Sequence, residues 1–366
     1  MLTDLGADVI KVEPPAGDMT RFTYPRVNSQ STYFVQQNVG KLNVSLNLDD
    51  ERAVDIARRL ADKCDIVVEN FRPGTLERLG LGPEVLLARR PSLVITRVTG
   101  FGQTGPYADR PGYGAIGEAM GGIRAVIGEP DRPPARAGVS LGDTLAATFA
   151  CVGALVALHV RERTGRGQVV DVSLLEPMMT AVGPAPTDFA LTGRVQRRVG
   201  NRSVANAPRN TYRTRDGRWV AISTSATPIA LRVMRLIGRP DFTEHEWFET
   251  AAGRVAHVDE LDTAVADWIA ERDHADVVDA FEKAEAAVAT VYEASDLVAD
   301  DHVRSTEMLT EVPDSDFGAL LMGNVLFRLS DTPGSIRHTG RGLGADTDEV
   351  LGEIGVDALV DGPLAP

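Results

Sequence analysis

Residues Lys41 to Leu48 alternate strictly. Leu42, Val44, Leu46 and Leu48 are apolar, and Asn43, Ser45 and Asn47 between them are polar, the period-2 pattern of a strand with one buried face. Asp49 is placed to cap the helix that follows. On that helix Ala53, Ile56, Ala57, Leu60 and Ala61 form one apolar stripe, while Arg52, Asp55, Arg59 and Asp62 face water. Further strand patterns run from Ala7 to Glu13, Ile66 to Val68, Ser92 to Thr99 and Gln168 to Val172. Short helices are expected near Leu76 to Leu79 and before Pro91, and a long apolar helix over residues 144–160. Strands separated by helices predict an α/β layer with a mostly parallel sheet.

The texture changes near Gly193. Gly200 to Asn210 is polar and turn-rich and reads as a linker. Thr211 to Ser223 reads as a hairpin around Asp216-Gly217. Helices follow at about Pro228 to Ile237, Glu260 to Ala270 and Ala275 to Ala284, and short strands and a small helix near Thr347 to Ile354 close the chain. The expected organisation is a large Rossmann-like parallel-sheet α/β domain over residues 1–190, a smaller α+β domain over 205–305, and a return to the large domain over 315–366.

A length of 366 residues suits two domains. With 52 acidic and 38 basic side chains the formal net charge is -14, which argues against a nucleic-acid partner and leaves room only for a local basic pocket. Cys64 and Cys151 give no disulfide framework and suggest a reducing compartment, the cytoplasm. The six histidines show no metal-ligand spacing, so no metal is expected. Met1-Leu2-Thr3-Asp4 carries no signal-peptide pattern. The longest apolar segment, Leu145 to Val160, is shorter than the ~20 residues of a membrane span and is expected as a buried core helix.

Two motifs carry candidate chemistry. Gly100-Phe101-Gly102-Gln103-Thr104-Gly105 follows a strand, as a dinucleotide loop does, but Pro106 and Pro111 forbid the helix that would hold a pyrophosphate. Gly138-Val139-Ser140-Leu141-Gly142 satisfies the serine-hydrolase pattern, but Pro133 and Pro134 stand where the preceding strand belongs. Asp143, just before the apolar helix, fits an N-cap. A carboxylate there is also held ionised by the helix dipole and can attack an acyl group to give an anhydride.

The chain resembles the class III coenzyme A transferases, the family of formyl-CoA transferase, carnitine-type CoA transferases and α-methylacyl-CoA racemase. The resemblance rests on Leu5 to Pro15 (LGADVIKVEPP), Gly17-Asp18, Asn38 with Lys41, Val68 to Gly74 (VENFRPG) with Leu79-Gly80, Gly100 to Tyr113 (GFGQTGPYADRPGY), Gly142-Asp143, Thr164 to Gln168 (TGRGQ), Asp216-Gly217, and Leu343-Gly344 with Thr347 to Leu351. It implies an interlocked homodimer whose substrates are an acyl-CoA and a carboxylic acid, with no permanently bound cofactor and no membrane. It places Asp143 on the catalytic aspartate, which forms a mixed anhydride and then an aspartyl-CoA thioester. It places Arg78 and Lys41 near the CoA phosphates, and Asn70, Phe71 and Tyr113 along the binding site. Tyr113 stands where the racemase branch has a histidine, which favours transfer over racemisation. Gly114 stands where many transferases carry an acid, and Gly200 to Asn210 lacks the glycine tetrad of formyl-CoA transferase. Glu118 and His159 read as structural. The family's first strand and following loop are not represented, which sets a catalytically inactive CoA-binding dimer beside the transferase as a second reading. A hydrolase acting through Ser140 is the third.

Overall fold

Parallel strands carry the first half of the chain in the computed structural model, which describes residues 1–356. The described residues divide into two units, one of residues 1–117, 140–178 and 298–356, the other of 118–139 and 179–297. Residues 357–366, the tail of the expected C-terminal return, lie outside the described residues.

In the first unit β1 (Val9–Glu13) pairs in parallel with β2 (Lys41–Ser45), from Val9 opposite Lys41 to Glu13 opposite Ser45. A second parallel sheet runs β3 (Ile66–Glu69), β4 (Val94–Thr99), β5 (Val169–Ser173) in that order, with Glu69 opposite Arg97 and Thr99 opposite Ser173. β4 is the middle strand, and Val94 and Ile95 are fully buried, as a strand covered on both faces requires. The alternation read in residues 41–48 thus yields a strand that stops at Ser45. The chain then turns: the Asp50 N–H donates to the Asn47 carbonyl and the Asp49 N–H to Asn47 Oδ1. Asp49 is spent in that turn. Asp50 caps α1 (Glu51–Lys63), accepting the Arg52 N–H at 2.9 Å. The buried face of α1 is Ala53, Val54, Ile56, Leu60 and Ala61.

Short helices α2 (Thr75–Arg78) and α3 (Pro83–Arg89) lie between β3 and β4, and α4 (Gly114–Met120) follows the glycine-rich loop. The long helix α5 spans Leu141–Thr164, 24 residues, and extends past both expected ends. By length and composition alone it is apolar enough to cross a membrane. Its alanines 146, 150, 154 and 157 are buried, and the helix packs on β4 and β5. Phe149, Val152, Leu155 and Val156 are 45%, 52%, 49% and 58% exposed. The expectation of a buried core helix is therefore corrected. A segment apolar on every side carries no periodicity to say which side is covered, and here only a narrow alanine stripe is.

In the second unit β6 (Arg209–Arg213), β7 (Trp219–Ser223) and β8 (Val288–Thr290) form an antiparallel sheet with β7 central. Its core joins Tyr212, Val220 and Ile222 to residues of α6 (Thr227–Leu236), α7 (Val258–Ala270) and α8 (His274–Lys283). The segment expected as a linker is anchored. Buried Asp262 accepts Arg202 Nε at 2.7 Å, Asn210 Nδ2 at 2.8 Å and the Tyr212 hydroxyl at 2.7 Å, so polar residues that read as solvent-loving are satisfied by one interior carboxylate.

The first unit is completed by an antiparallel hairpin, β9 (Leu309–Asp314) and β10 (Gly318–Gly323), and by α9 (Thr347–Glu353). Val350 and Leu351 of α9 enter one cluster with Val44, Leu46, Ala53, Ile56 and Leu60. The Asn43 N–H donates to Asp346 at 2.7 Å.

Candidate active site

Glycines build the site at the carboxyl end of β4 and β5. Gly100, directly after β4, and Gly112 approach backbone to backbone: a Cβ on either would lie 2.7 Å from the other's Cα. The loop between them closes on itself. Gly102 and Gly105 adopt φ of 86° and 89°, and Asp171 on β5 accepts the Gln103 N–H at 2.8 Å. No helix starts in this loop, as its prolines require. Tyr113 follows, and its carbonyl accepts the N–H groups of Ile116 and Gly117, which opens α4. Gly117 is pressed against the Leu174 carbonyl just past β5.

Asp143 is the third residue of α5, not its cap. Ser140 holds the cap position, without a capping bond from its side chain. Its carbonyl accepts the Thr144 N–H at 3.0 Å and the Thr144 hydroxyl at 2.9 Å. Leu141 and Gly142 are already helical, one turn earlier than their poor helix-start chemistry suggests. In the first turn the Asp143 carboxylate lies where the helix dipole favours negative charge. Its side chain is exposed and rests against Gly114. A Cβ at Gly114 would fall within 2.6 Å of Cγ and Oδ1 and closer still to Oδ2. Buried Gly142 packs on the same residue, its own Cβ position being 2.7 Å from the Gly114 carbonyl oxygen. Tyr113, beside Gly114, is 74% exposed. The structure thus brings Tyr113, Gly114, Gly142 and Asp143 together. Residues 127–139 contain no strand, so Ser140 is not on a nucleophile elbow, and the hydrolase reading lacks its geometry.

A second cluster follows β3. Arg97 on β4 donates to Glu69 Oε1 at 2.6 Å and to Glu77 Oε1 at 2.7 Å, and the other Glu69 oxygen accepts the Phe71 N–H at 2.7 Å. The Arg97 guanidinium holds the Glu77 carboxyl below the usual carboxylate range. One buried cation therefore fixes both the turn bearing Asn70 and Phe71, which are exposed, and helix α2, which ends in Arg78. Arg78 is exposed and donates to Thr75 Oγ1 at 2.8 Å. Arg72, exposed in the same turn, is a third polar group here that the sequence reading passed over; the signal was a second cation right after the strand. Lys41 stands at the start of β2, in the other parallel sheet, donating to Asn38 Oδ1 at 3.0 Å. Burial, and then the Lys11 charge, push its ammonium pKa down. Glu118 is buried in the second unit with Arg124 at 3.4 Å, and His159 is exposed on α5.

The profile described as CoA-transferase family III matches residues 1–347. The chain belongs to CoA-transferase family III. A succinyl-CoA–D-citramalate CoA-transferase of Chloroflexus aurantiacus is 41% identical over 356 residues, covering 97% of this chain and 89% of the relative. The β subunit of the succinyl-CoA–L-malate CoA-transferase of the same organism is 36% identical, covering 97% and 89%. A crystal structure of a CaiB/BaiF family protein from Brucella suis superposes with a TM-score of 0.86 at 30% identity, covering 96% of this chain and 93% of that one. This family III chain is accordingly a CoA-transferase, acting between a CoA thioester and a carboxylate. Among its described residues no three His, Cys, Asp or Glu side chains gather as a metal-binding set.

Proposed function

We propose that this CoA-transferase works through Asp143 as nucleophile, with succinyl-CoA or a similar short acyl-CoA as donor and a small dicarboxylic acid as acceptor. The observation that carries the reading is the seat of Asp143: an exposed carboxylate in the first turn of a 24-residue helix, resting on Gly114 at the carboxyl end of the parallel strands, where open α/β sheets bind ligands. An Asp143 oxygen attacks the thioester carbonyl, the C–S bond breaks, and the CoA thiolate leaves a mixed aspartyl anhydride. The thiolate attacks Cγ of Asp143, releasing the donor acid and leaving an aspartyl-CoA thioester. The acceptor carboxylate attacks this thioester, and the thiolate then attacks the acceptor's acyl carbon and frees Asp143. Every step exchanges one acyl bond for another and needs no oxidant or net proton. The donor and acceptor classes are supported by the two Chloroflexus relatives, whose names give succinyl-CoA as donor and citramalate or malate as acceptor. Incubation with succinyl-CoA and D-citramalate or L-malate, followed by mass spectrometry, should yield the acceptor's CoA thioester and free succinate. Hydrolysis to free CoA alone would overturn the reading.

The cluster after β3 is proposed to take the CoA phosphates. Arg78→Ala should weaken CoA binding by about 1–3 kcal/mol, the range for charge-assisted hydrogen bonds, and unchanged affinity by calorimetry would remove Arg78 from the site. The active form is proposed to be a homodimer. The exposed row of Phe149, Val152, Leu155 and Val156 on α5 is the kind of apolar face that a second copy covers. Light scattering after size exclusion should give twice the chain mass at micromolar concentration, and a stable monomer would refute it.

A further inference from the structure

We infer that Asp171 is a positioning residue for acyl transfer: by tying the glycine loop of residues 100–112 to the sheet, it sets the place of Tyr113 and Gly114, against which the nucleophile rests. The inference rests on Asp143 being the nucleophile. Asp171 is out of place in its own strand. β5 reads Val169-Val170-Asp171-Val172-Ser173, whereas parallel strands favour unbroken apolar runs, and aspartate is depleted in strands. Nor does it neutralise a neighbour. Arg97 stands opposite it on β4, but that guanidinium is turned to Glu69 and Glu77. None of the ion pairs among the described residues includes Asp171. A residue that works against its own element and pairs with no charge is placed for another purpose. Its carboxylate accepts the Gln103 N–H at 2.8 Å.

The loop depends on that bond because it has little else. It is an Ω-loop, closed at the neck and packed on its own side chains. Gly100 and Gly112 touch backbone to backbone at the neck, and no hydrogen bond joins them. Inside, Phe101 meets Tyr107 edge to face at 5.8 Å, and the Arg110 guanidinium lies 3.7 Å from the Tyr107 ring centre. Ala108 and Arg110 donate their N–H groups to the carbonyls of Gly105 and Tyr107. All these contacts are internal to the loop. Among the described residues, the bond from Gln103 to Asp171 is the one hydrogen bond that ties residues 101–112 to the rest of the chain. Glycine is conformationally permissive, so without the tether the loop body swings as a unit about Gly100 and Gly112. Tyr113 and Gly114 follow the neck directly, and Gly114 is the residue that meets the Asp143 carboxylate. A displacement of about 1 Å in a reacting group costs about 100-fold in rate.

The test uses the full-length enzyme. Asp171→Val removes the acceptor and supplies a residue that strands favour, so its melting temperature should not fall below that of the wild type. Its kcat should nevertheless drop about 100-fold, with the labelling of Asp143 by donor acyl-CoA slowed in parallel and the amides of residues 101–112 exchanging faster with deuterium. Asp171→Asn keeps an oxygen for the same N–H and should restore most of the turnover and the slow exchange. A carboxylate that merely stabilised the fold would lower the melting temperature of Asp171→Val and leave its kcat unchanged, which would overturn the inference. Asp171→Asn as slow as Asp171→Val would also overturn it, since the charge and not the bond would then matter. So would unchanged exchange in Asp171→Val, since the loop would then be held elsewhere. If Asp171→Val does not fold, Asp171→Ala carries the same comparison with Asp171→Asn. Turnover in Asp143→Asn would mean that the nucleophile assignment itself has failed; a dead Asp143→Asn beside wild-type kcat in Asp171→Val rejects the role of Asp171 alone.

Discussion

Asp143→Asn will leave the protein folded and lower turnover by about 10⁴-fold or more, the scale seen when an enzyme loses its nucleophile. The amide matches the carboxylate in shape, so the contact with Gly114 and the first turn of α5 are kept. What goes is the charge proposed to attack the thioester, together with the modest 0.3–1 kcal/mol or so that an acid contributes near a helix N-terminus. Donor acyl-CoA supplied without acceptor should leave an acyl or CoA group on the wild-type enzyme. Hydroxylamine converts such anhydrides and thioesters to a hydroxamate of altered mass. The mark should fall on Asp143 in the tryptic peptide from Ala137 to Arg161 and vanish in the variant. A mark on Ser140, or an active Asp143→Asn, would remove Asp143 from the chemistry.

Arg97→Ala should be among the most destabilising single changes in the first unit. Arg97 and Glu69 are 6% and 3% exposed and directly opposite one another on β4 and β3. Removing the guanidinium leaves the Glu69 carboxylate buried beside the Phe71 N–H, which donates to its other oxygen, and breaking a buried pair in this way costs about 3–5 kcal/mol. Glu77 loses the same partner, so the turn at Asn70 and Phe71 and helix α2 should loosen together. Urea unfolding reads the stability, and CoA titration should show weaker binding even where the variant remains folded. A loss below about 1 kcal/mol would mean that the pair holds neither the fold nor the turn. Replacing Arg97 and Glu69 together by methionine should restore much of the stability, since two apolar residues leave no stranded charge.

Period-2 alternation made β2 legible, an apolar stripe revealed α1, and turn chemistry disclosed the β6–β7 hairpin. Each is a local signal. The capping aspartate was misplaced by one residue because Asp49 and Asp50 are chemically equal, and only the turn at Asn47 decides between them. α4 was not legible: Gly114, Gly117 and the prolines upstream speak against a helix, and it forms because its glycines let it lie on Leu174 and Asp143. For the same reason resemblance and dipole chemistry could nominate Asp143 as the candidate nucleophile, while its seat on Gly114 left no signal in the sequence. Contacts between backbones distant in sequence leave no periodic trace. The half-bare face of α5 was hidden for a different reason, since an all-apolar segment reads alike whether its cover comes from its own chain or from another.

The strap at Asp346 bears on how the chain comes off the ribosome. Asn43 and Asp346 are 303 positions apart, and the cluster under β2 and α1 is closed by Val350 and Leu351. The first strands made are thus among the last to be finished. Until α9 emerges, the apolar face of β2 and α1 lacks part of its cover, while β3, β4, β5 and the second unit can already assemble. Parallel pairing is slow because loops must close before contacts reward them, and so late a closure lengthens the time during which the nascent first unit is open to mispairing or to a chaperone.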